Sequence, residues 1–271
     1  MPELPEVETT RRGIEPHVLG VIVKAVTVRQ GHLRWPVPPE LERQLPGNEI
    51  TSVLRRGKYL LLACAAGNVM IHLGMSGNLR IVGPDEPLRK HDHVDFILGN
   101  RSVLRFHDPR RFGCVLWVTG EPGLHPLLAQ LGPEPLSEQF SADYLFRKSR
   151  NSSMAVKSFI MDSRKVVGVG NIYANEALFN AGINPMRKAG NISRARYESL
   201  VRAIKQTLDS AIRDGGTTLR DFVGSDGRPG YFKQSLNVYG RAGQACSGCG
   251  LPLKESRLGQ RSTVYCTSCQ T

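Results

Sequence analysis

The first half of the chain carries its apolar residues in short runs broken by glycine, proline and aspartate. After a short helical opening, the runs Val21–Val28, Lys58–Ala63, Val69–Leu73, His93–Ile97 and Val103–Phe106 have strand composition. Short strands at this spacing predict a sandwich or barrel. Leu131-Gly-Pro-Glu-Pro-Leu136 has the prolines of a linker. From about residue 137 the period changes to that of a helix. Tyr197, Leu200, Val201, Ile204, Leu208, Ala211 and Ile212 form one stripe behind Ser193, an expected N-cap, and Gly215-Gly216 ends it. Val166-Val-Gly-Val-Gly-Asn171 runs into a second helical segment, Ile172–Phe179. A glycine turn into a helix N-terminus offers amides to a phosphate, although many such turns are only tight connections. Residues 216–240, rich in Gly, Asp and Ser, predict a mobile flap, and Ser262–Tyr265 a short strand.

Charge adds a direction to this plan. The net charge is +12, but residues 1–144 hold 16 basic and 16 acidic side chains, so residues 145–271 carry the whole excess. A basic half beside a neutral half suits a polyanion, with nucleic acid the natural candidate and a solvated basic face the bland alternative. No apolar run approaches the ~18 residues of a membrane span, and no signal segment opens the chain, which predicts a cytoplasmic protein.

Two pairs of cysteines, Cys246-x2-Cys249 and Cys266-x2-Cys269, stand sixteen residues apart. This spacing predicts one structural Zn2+ held by four thiolates. Two disulfides are the alternative, disfavoured in a reducing compartment. Cys64 and Cys114 lie in apolar runs and read as small core residues.

Pro2 follows the initiator methionine and precedes Glu3. Exposed by methionine removal, Pro2 presents a secondary amine. An α-amine titrates near about 8, whereas lysine titrates near about 10.4, so it is a nucleophile at neutral pH without burial. Glu3 is then placed to move protons. Read alone, the pair is equally a rigid start and a surface charge.

The whole terminus, Met1-Pro-Glu-Leu-Pro-Glu-Val-Glu-Thr-Thr-Arg-Arg-Gly13, resembles the opening of the bacterial formamidopyrimidine-DNA glycosylases. The likeness continues in order through Arg56–Leu60, His72–Gly77, Lys90–His93, Asp108–Gly113, Leu131–Leu136, Val166–Tyr173, Gly215–Leu219, Val238–Arg241 and the four cysteines. It implies an α+β multidomain fold: an N-terminal β-sandwich catalytic domain (1–133), a helix–two-turn–helix DNA-binding domain (134–228) and a C-terminal zinc ribbon (236–271), with DNA between them. It implies a monomeric base-excision enzyme acting on damaged double-stranded DNA, removing oxidised purines and then cutting the strand as an AP lyase. Pro2 would attack C1′, Glu3 would donate protons, Lys58 would assist and hold the backbone, and Arg261 would serve the final elimination. His91, Arg110 and Ser152 match DNA-contacting positions, and Lys157 and Asn171 phosphate-binding ones. Met75, Arg110 and Phe112 match the residues that fill the gap left by an extruded base. Relatives commonly carry lysines in the stretch aligned with Arg150–Ser153, so a serine at 152 departs from the pattern.

Outside the resemblance, Met75 and Phe112 also read as core residues, Lys58 and Arg110 as solvated charges, and His91 with His93 as a strand-face pair or metal site. The endonuclease VIII type, which prefers oxidised pyrimidines, and a non-catalytic zinc-ribbon DNA binder are the alternative functions.

Overall fold

The structure, a computed structural model, describes residues 2–215 and 236–271. They divide into two units, one of residues 2–129 with 214–215 and one of residues 130–213 with 236–271. The expected flap therefore lies outside the described residues as far as position 235.

The first unit is a β-sandwich behind one long helix. Helix α1 spans Leu4–Val18 and presents Val7, Ile14 and Val18 to the core. Strands β1 (Val23–Val28), β2 (Ser52–Arg56), β3 (Tyr59–Cys64), β4 (Gly67–His72), β5 (Asn78–Val82), β6 (Asp92–Leu98), β7 (Val103–His107) and β8 (Cys114–Val118) form two antiparallel sheets, ordered β1-β6-β7-β5 and β2-β3-β4-β8. Leu60, Leu62, Val69 and Ile71 of one sheet share a core with Val94, Phe96, Leu104 and Phe106 of the other. The short helices α2 (Glu40–Gln44) and α3 (Pro126–Ala129) complete the unit.

Three strands of the sandwich escaped the composition reading. β2 and β5 carry Arg55, Arg56 and Arg80, which look like turn or surface residues. Arg55 is paired to Glu8 of α1, and Arg80 to Asp92 of β6, so both charges have partners distant in sequence. β8 is apolar but was hidden behind the polar loop before it. The reading also placed Lys58 in a strand. It is instead the second residue of the two-residue turn joining β2 to β3, because Gly57 takes φ +58° there and Arg56 pairs with Tyr59.

One sheet carries a buried ionic network on its outer face. Arg105 is 3 % exposed, and its guanidinium clasps both oxygens of Asp95 at 2.9 Å. Asp92 takes Arg80 at 2.9 Å, His107 Nδ1 at 2.8 Å and the Arg89 amide at 2.8 Å. Burial alone would push the Asp92 carboxyl up, but these partners hold it below its ordinary range. Burial also opposes the charge of Arg105, and Asp95 more than restores it.

The second unit is helical with a two-stranded appendage. Helices α4 (Ala142–Ser149), α5 (Val156–Met161), α6 (Asn171–Asn180) and α7 (Arg194–Arg213) pack on one another, and β9 (Lys254–Leu258) pairs with β10 (Arg261–Tyr265). Ser193 Oγ accepts the Arg196 amide, and every member of the predicted α7 stripe is buried. The stretch Leu131–Leu136 has the composition of a linker, yet it is docked. The Gly132 amide donates to Ser163, and a Cβ at Gly132 would stand 2.8 Å from the Lys165 backbone.

Removing one partner from a buried ion pair strands the other charge. Arg105→Ala is expected to cost about 3–5 kcal/mol in urea unfolding of the first unit. A second expectation concerns acid. Unfolded carboxyls titrate near about 4, and Asp92 and Glu8 lie below that in the fold. Their stabilisation is therefore complete above about pH 5 and is lost as pH falls through the depressed folded values. Urea midpoints between pH 5 and pH 2 should fall less steeply for Asp92→Asn than for the unaltered chain.

Candidate active site

The amino terminus is fixed by its own helix. Pro2 is buried, and Glu3 caps α1 with extended backbone, φ −106° and ψ −171°. The Glu3 carboxylate accepts the Glu6 amide, while the fully buried Glu6 carboxylate accepts the Glu3 amide at 2.8 Å. This reciprocal box satisfies two helix-end donors and holds residues 2 and 3 in one geometry. One turn on, Glu8 gathers Arg11, Arg12 and Arg55. Burial raises its carboxyl pKa, but these arginines outweigh burial and lower it, so Glu8 stays charged and joins α1 to β2.

Lys58 stands in the turn after β2, and its charge is felt by His72 at the end of β4. Burial, then Lys58, then Arg34, push the His72 pKa down to about 4. The ring is thus neutral at pH 7. Its Nδ1 accepts the Gly74 amide at 2.9 Å, which leaves the proton on Nε2 as a hydrogen-bond donor. The His72 and Tyr59 rings lie 4.8 Å apart between centroids, tilted by 52°.

His72 lines a cavity of about 670 Å³ with Leu33, Arg34, Met75, Arg110 and Phe112. The three expected gap-filling residues therefore share one wall. Met75 and Phe112 are exposed (36 % and 46 %), not core residues, and the Arg110 guanidinium lies 4.9 Å over the Phe112 ring. His91 has φ +84°, and its ring meets those of His93 and His107 edge-on at 6.1 Å. The metal alternative for His91 and His93 finds no support. Among the described residues, the four cysteines are the only cluster of ligating side chains that could hold an ion.

In the second unit, Lys157 is 1 % exposed, and its ammonium donates to Ser262 O at 2.8 Å and Thr263 Oγ1 at 2.7 Å. It lines, with Arg261, a cleft of about 200 Å³. Arg261 opens β10, exposed, beside a turn in which Gly259 and Gln260 take φ +54° and +63°. Asn171 begins α6 behind Gly170, and its Oδ1 is buried without a partner among the described residues. Ser152 is held by backbone, donating to Ser149 O and accepting from Gly190. The neighbouring Arg150 turns inward, stacks on Phe146 at 3.9 Å and donates to Ile192 O.

Cys246, Cys249, Cys266 and Cys269 place their sulfurs within 4.8 Å of one another, with Cys246–Cys269 at 3.9 Å and Cys249–Cys266 at 3.5 Å. A tetrahedron with metal–sulfur bonds near 2.3 Å has edges of about 3.8 Å, whereas a disulfide needs about 2.05 Å. The donor set fits a thiolate-bound metal. Val238, Leu253 and Val264 are almost the only core beneath it. The module is held to α6 by polar contacts: Glu176 accepts the amides of Asn237, Val238 and Tyr239 at 2.8–2.9 Å, and Asn175 accepts that of Val264 at 3.0 Å.

Sequence reasoning singled out residues by their expected chemistry and passed over several that hold the same segments in place: Glu6, His72, Ser76, Asp108, Asn175 and Glu176. A signal existed for two of them. Asn175 and Glu176 interrupt a helix that is otherwise apolar on every side.

Comparison with known proteins agrees with this geometry. The sequence model of the formamidopyrimidine-DNA glycosylase N-terminal domain matches residues 1–115, and that of the formamidopyrimidine-DNA glycosylase H2TH domain matches residues 131–223. The formamidopyrimidine-DNA glycosylases of Cellvibrio japonicus and Marinobacter nauticus are 60 % and 61 % identical over 270 residues, covering 100 % of each chain. Among solved structures, the MutM (Fpg) protein of Thermus thermophilus superposes with a TM-score of 0.89 at 39 % identity, covering 99 % of this chain and 98 % of that one. The Lactococcus lactis Fpg in complex with abasic-site DNA gives 0.92 at 31 % identity, covering 99 % of both. With both domain models matched in order and full-length relatives at this identity, the chain belongs to the formamidopyrimidine-DNA glycosylase family.

Proposed function

We propose that this chain is a bifunctional glycosylase and AP lyase of base excision repair that removes oxidised purines from duplex DNA, acting as a monomer in the cytoplasm on nucleoid DNA. The observation that carries the reading is the amino terminus itself, a buried Pro2 fixed against α1 by the Glu3–Glu6 capping box, in a chain of this family. Among the described residues no helix is long and apolar enough to cross a membrane.

Once Met1 is removed, the Pro2 nitrogen attacks C1′ of a nucleotide flipped from the stack. The C1′–N bond to the base breaks, and the base leaves with a proton. Glu3, one residue away, donates protons to the departing base and to the ring oxygen as the sugar opens. The resulting iminium draws electrons from C2′, so loss of the 2′ proton expels the 3′ phosphate. A second elimination expels the 5′ phosphate, and water releases Pro2. Lys58 and the neutral His72, with its Nε2 proton, suit phosphate oxygens near this terminus. Arg261, exposed on β10, takes a phosphate during elimination, and Asn171, with Lys157 beneath β10, serves the strand on the second unit. His91 and Ser152 contact the backbone. Met75 and Phe112 occupy the vacated stack while Arg110 donates to the orphaned base.

Cys246, Cys249, Cys266 and Cys269 would hold one Zn2+, which supplies a crosslink between two knuckles and no part of the reaction. The domains proposed for these roles are 1–133, 134–228 and 236–271.

The deciding experiment incubates the untagged protein with duplex DNA containing 8-oxoguanine opposite cytosine and adds borohydride. A covalent adduct mapping to Pro2 is expected. Pro2→Gly offers a primary amine on a looser terminus, and an N-terminal tag blocks the amine. Both should lower strand cleavage by at least about a hundredfold while duplex binding stays within about threefold. Full cleavage by the tagged protein would overturn the mechanism, and trapping only on an oxidised-pyrimidine duplex would move the chain to the endonuclease VIII type. For the metal, denaturing the protein with a chromogenic chelator should release one equivalent of zinc. Stripping it should abolish duplex binding, while the first unit keeps its β-type circular dichroism.

A further inference from the structure

The Asp108 side chain is fully buried at the junction of the two loops that carry Met75, Arg110 and Phe112. Its Oδ1 accepts Ser76 Oγ at 2.7 Å, from the loop bearing Met75. Its Oδ2 accepts the Gly113 amide at 2.8 Å, closing the loop bearing Arg110 and Phe112. Ser76 Oγ in turn accepts the Arg110 amide at 3.2 Å. The Asp108 main chain is held as well, its amide donating to His91 O at 3.1 Å and its carbonyl accepting His93 Nε2 at 2.8 Å. A third loop joins at the same place, where the Arg34 amide donates to Gly113 O at 3.1 Å.

The loops meet with no spare room. A Cβ on Gly74 would lie 2.3 Å from the Gly113 nitrogen and 2.4 Å from the Phe112 carbonyl carbon. Apolar packing does not hold them, because the side chains at their tips are exposed. The relative height of Met75 and Arg110 is therefore set by polar contacts between the loops, and the Asp108 carboxylate is the group that accepts from both.

We propose that Asp108 is the positioning residue that sets Met75, Arg110 and Phe112 in register, and that it thereby governs discrimination of the base opposite the lesion. This rests on the gap-filling reading of those three residues. If the loops slide, Met75 still enters the stack, but the Arg110 guanidinium no longer meets the edge of the orphaned base. A shift of about 1 Å is enough to change such a contact severely.

The test uses the full-length, untagged, zinc-loaded protein. Single-turnover excision of 8-oxoguanine opposite cytosine and opposite adenine is compared with lyase activity on single-stranded abasic DNA, which has neither opposite base nor gap. Asp108→Ala should lower excision opposite cytosine by about tenfold or more and collapse the cytosine-over-adenine ratio, with single-strand lyase within about twofold. Asp108→Asn, which keeps one acceptor and the shape, should recover most of the ratio. Adding Met75→Ala to Asp108→Ala should cost less than Met75→Ala does alone, because both act on one unit.

An unchanged ratio in Asp108→Ala, a parallel loss of single-strand lyase, or strict additivity with Met75→Ala would overturn the proposal. Should Asp108→Ala not fold, Ser76→Ala removes the two hydrogen bonds of the Ser76 hydroxyl and leaves the Asp108–Gly113 bond in place. It should lower the ratio in the same direction, and an unaltered ratio would count against the proposal equally. If Met75→Ala and Phe112→Ala themselves leave duplex excision untouched, the gap-filling reading fails first, and the proposal falls with it.

Discussion

A carboxylate taken out of water must have its oxygens satisfied, and the groups at hand are often backbone amides of loops. Three buried acids in this chain obey that constraint, and each fixes a part of the site. Glu6 holds the Glu3 amide and with it the amino terminus. Asp108 holds Gly113 and Ser76, and with them the two loops around the cavity. Glu176 holds three consecutive amides at residues 237–239, where the cysteine module begins. Remove any one acid and a segment without a core of its own loses its place.

The two units meet this constraint differently. The first has a sandwich core large enough to stand behind rigid loops, so its acids need only trim loop positions. The second must attach a module whose apolar core is a handful of residues. It does so through polar contacts with α5, α6 and the segment after α6: Lys157 to β10, Asn175 to Val264, and Gln270 to Ile183 O. A polar dock holds in place a segment too short to form a large hydrophobic core, and its four cysteines stand close enough to hold a metal ion.

The legible parts of the fold were those with an uninterrupted period. The α7 stripe and five strands of the sandwich are apolar at regular spacing. β2 and β5 were illegible because Arg55 is paired to α1 and Arg80 to β6, and pairing with a residue distant in sequence leaves no local mark. β9 was illegible because it is a polar edge strand, paired only with β10. The docked stretch after Leu131 has the composition of a linker, since proline and glycine serve a tight contact as readily as a free one.

By itself the sequence determined the residue types and their spacing: Pro2 beside Glu3, two cysteine pairs at zinc spacing, a basic second half, and an ordered set of motifs identifying the family. These are properties of residue type and short spacing, and they survive without coordinates. Only the tertiary structure decided that Met75 and Phe112 stand exposed on one cavity wall, that His72 is neutral with its proton on Nε2, and that Lys157 lies beneath β10. It alone joined Asp108 to Ser76, thirty-two residues away. Burial and hydrogen-bond partnership are set by which distant segments pack together, and no local pattern encodes that.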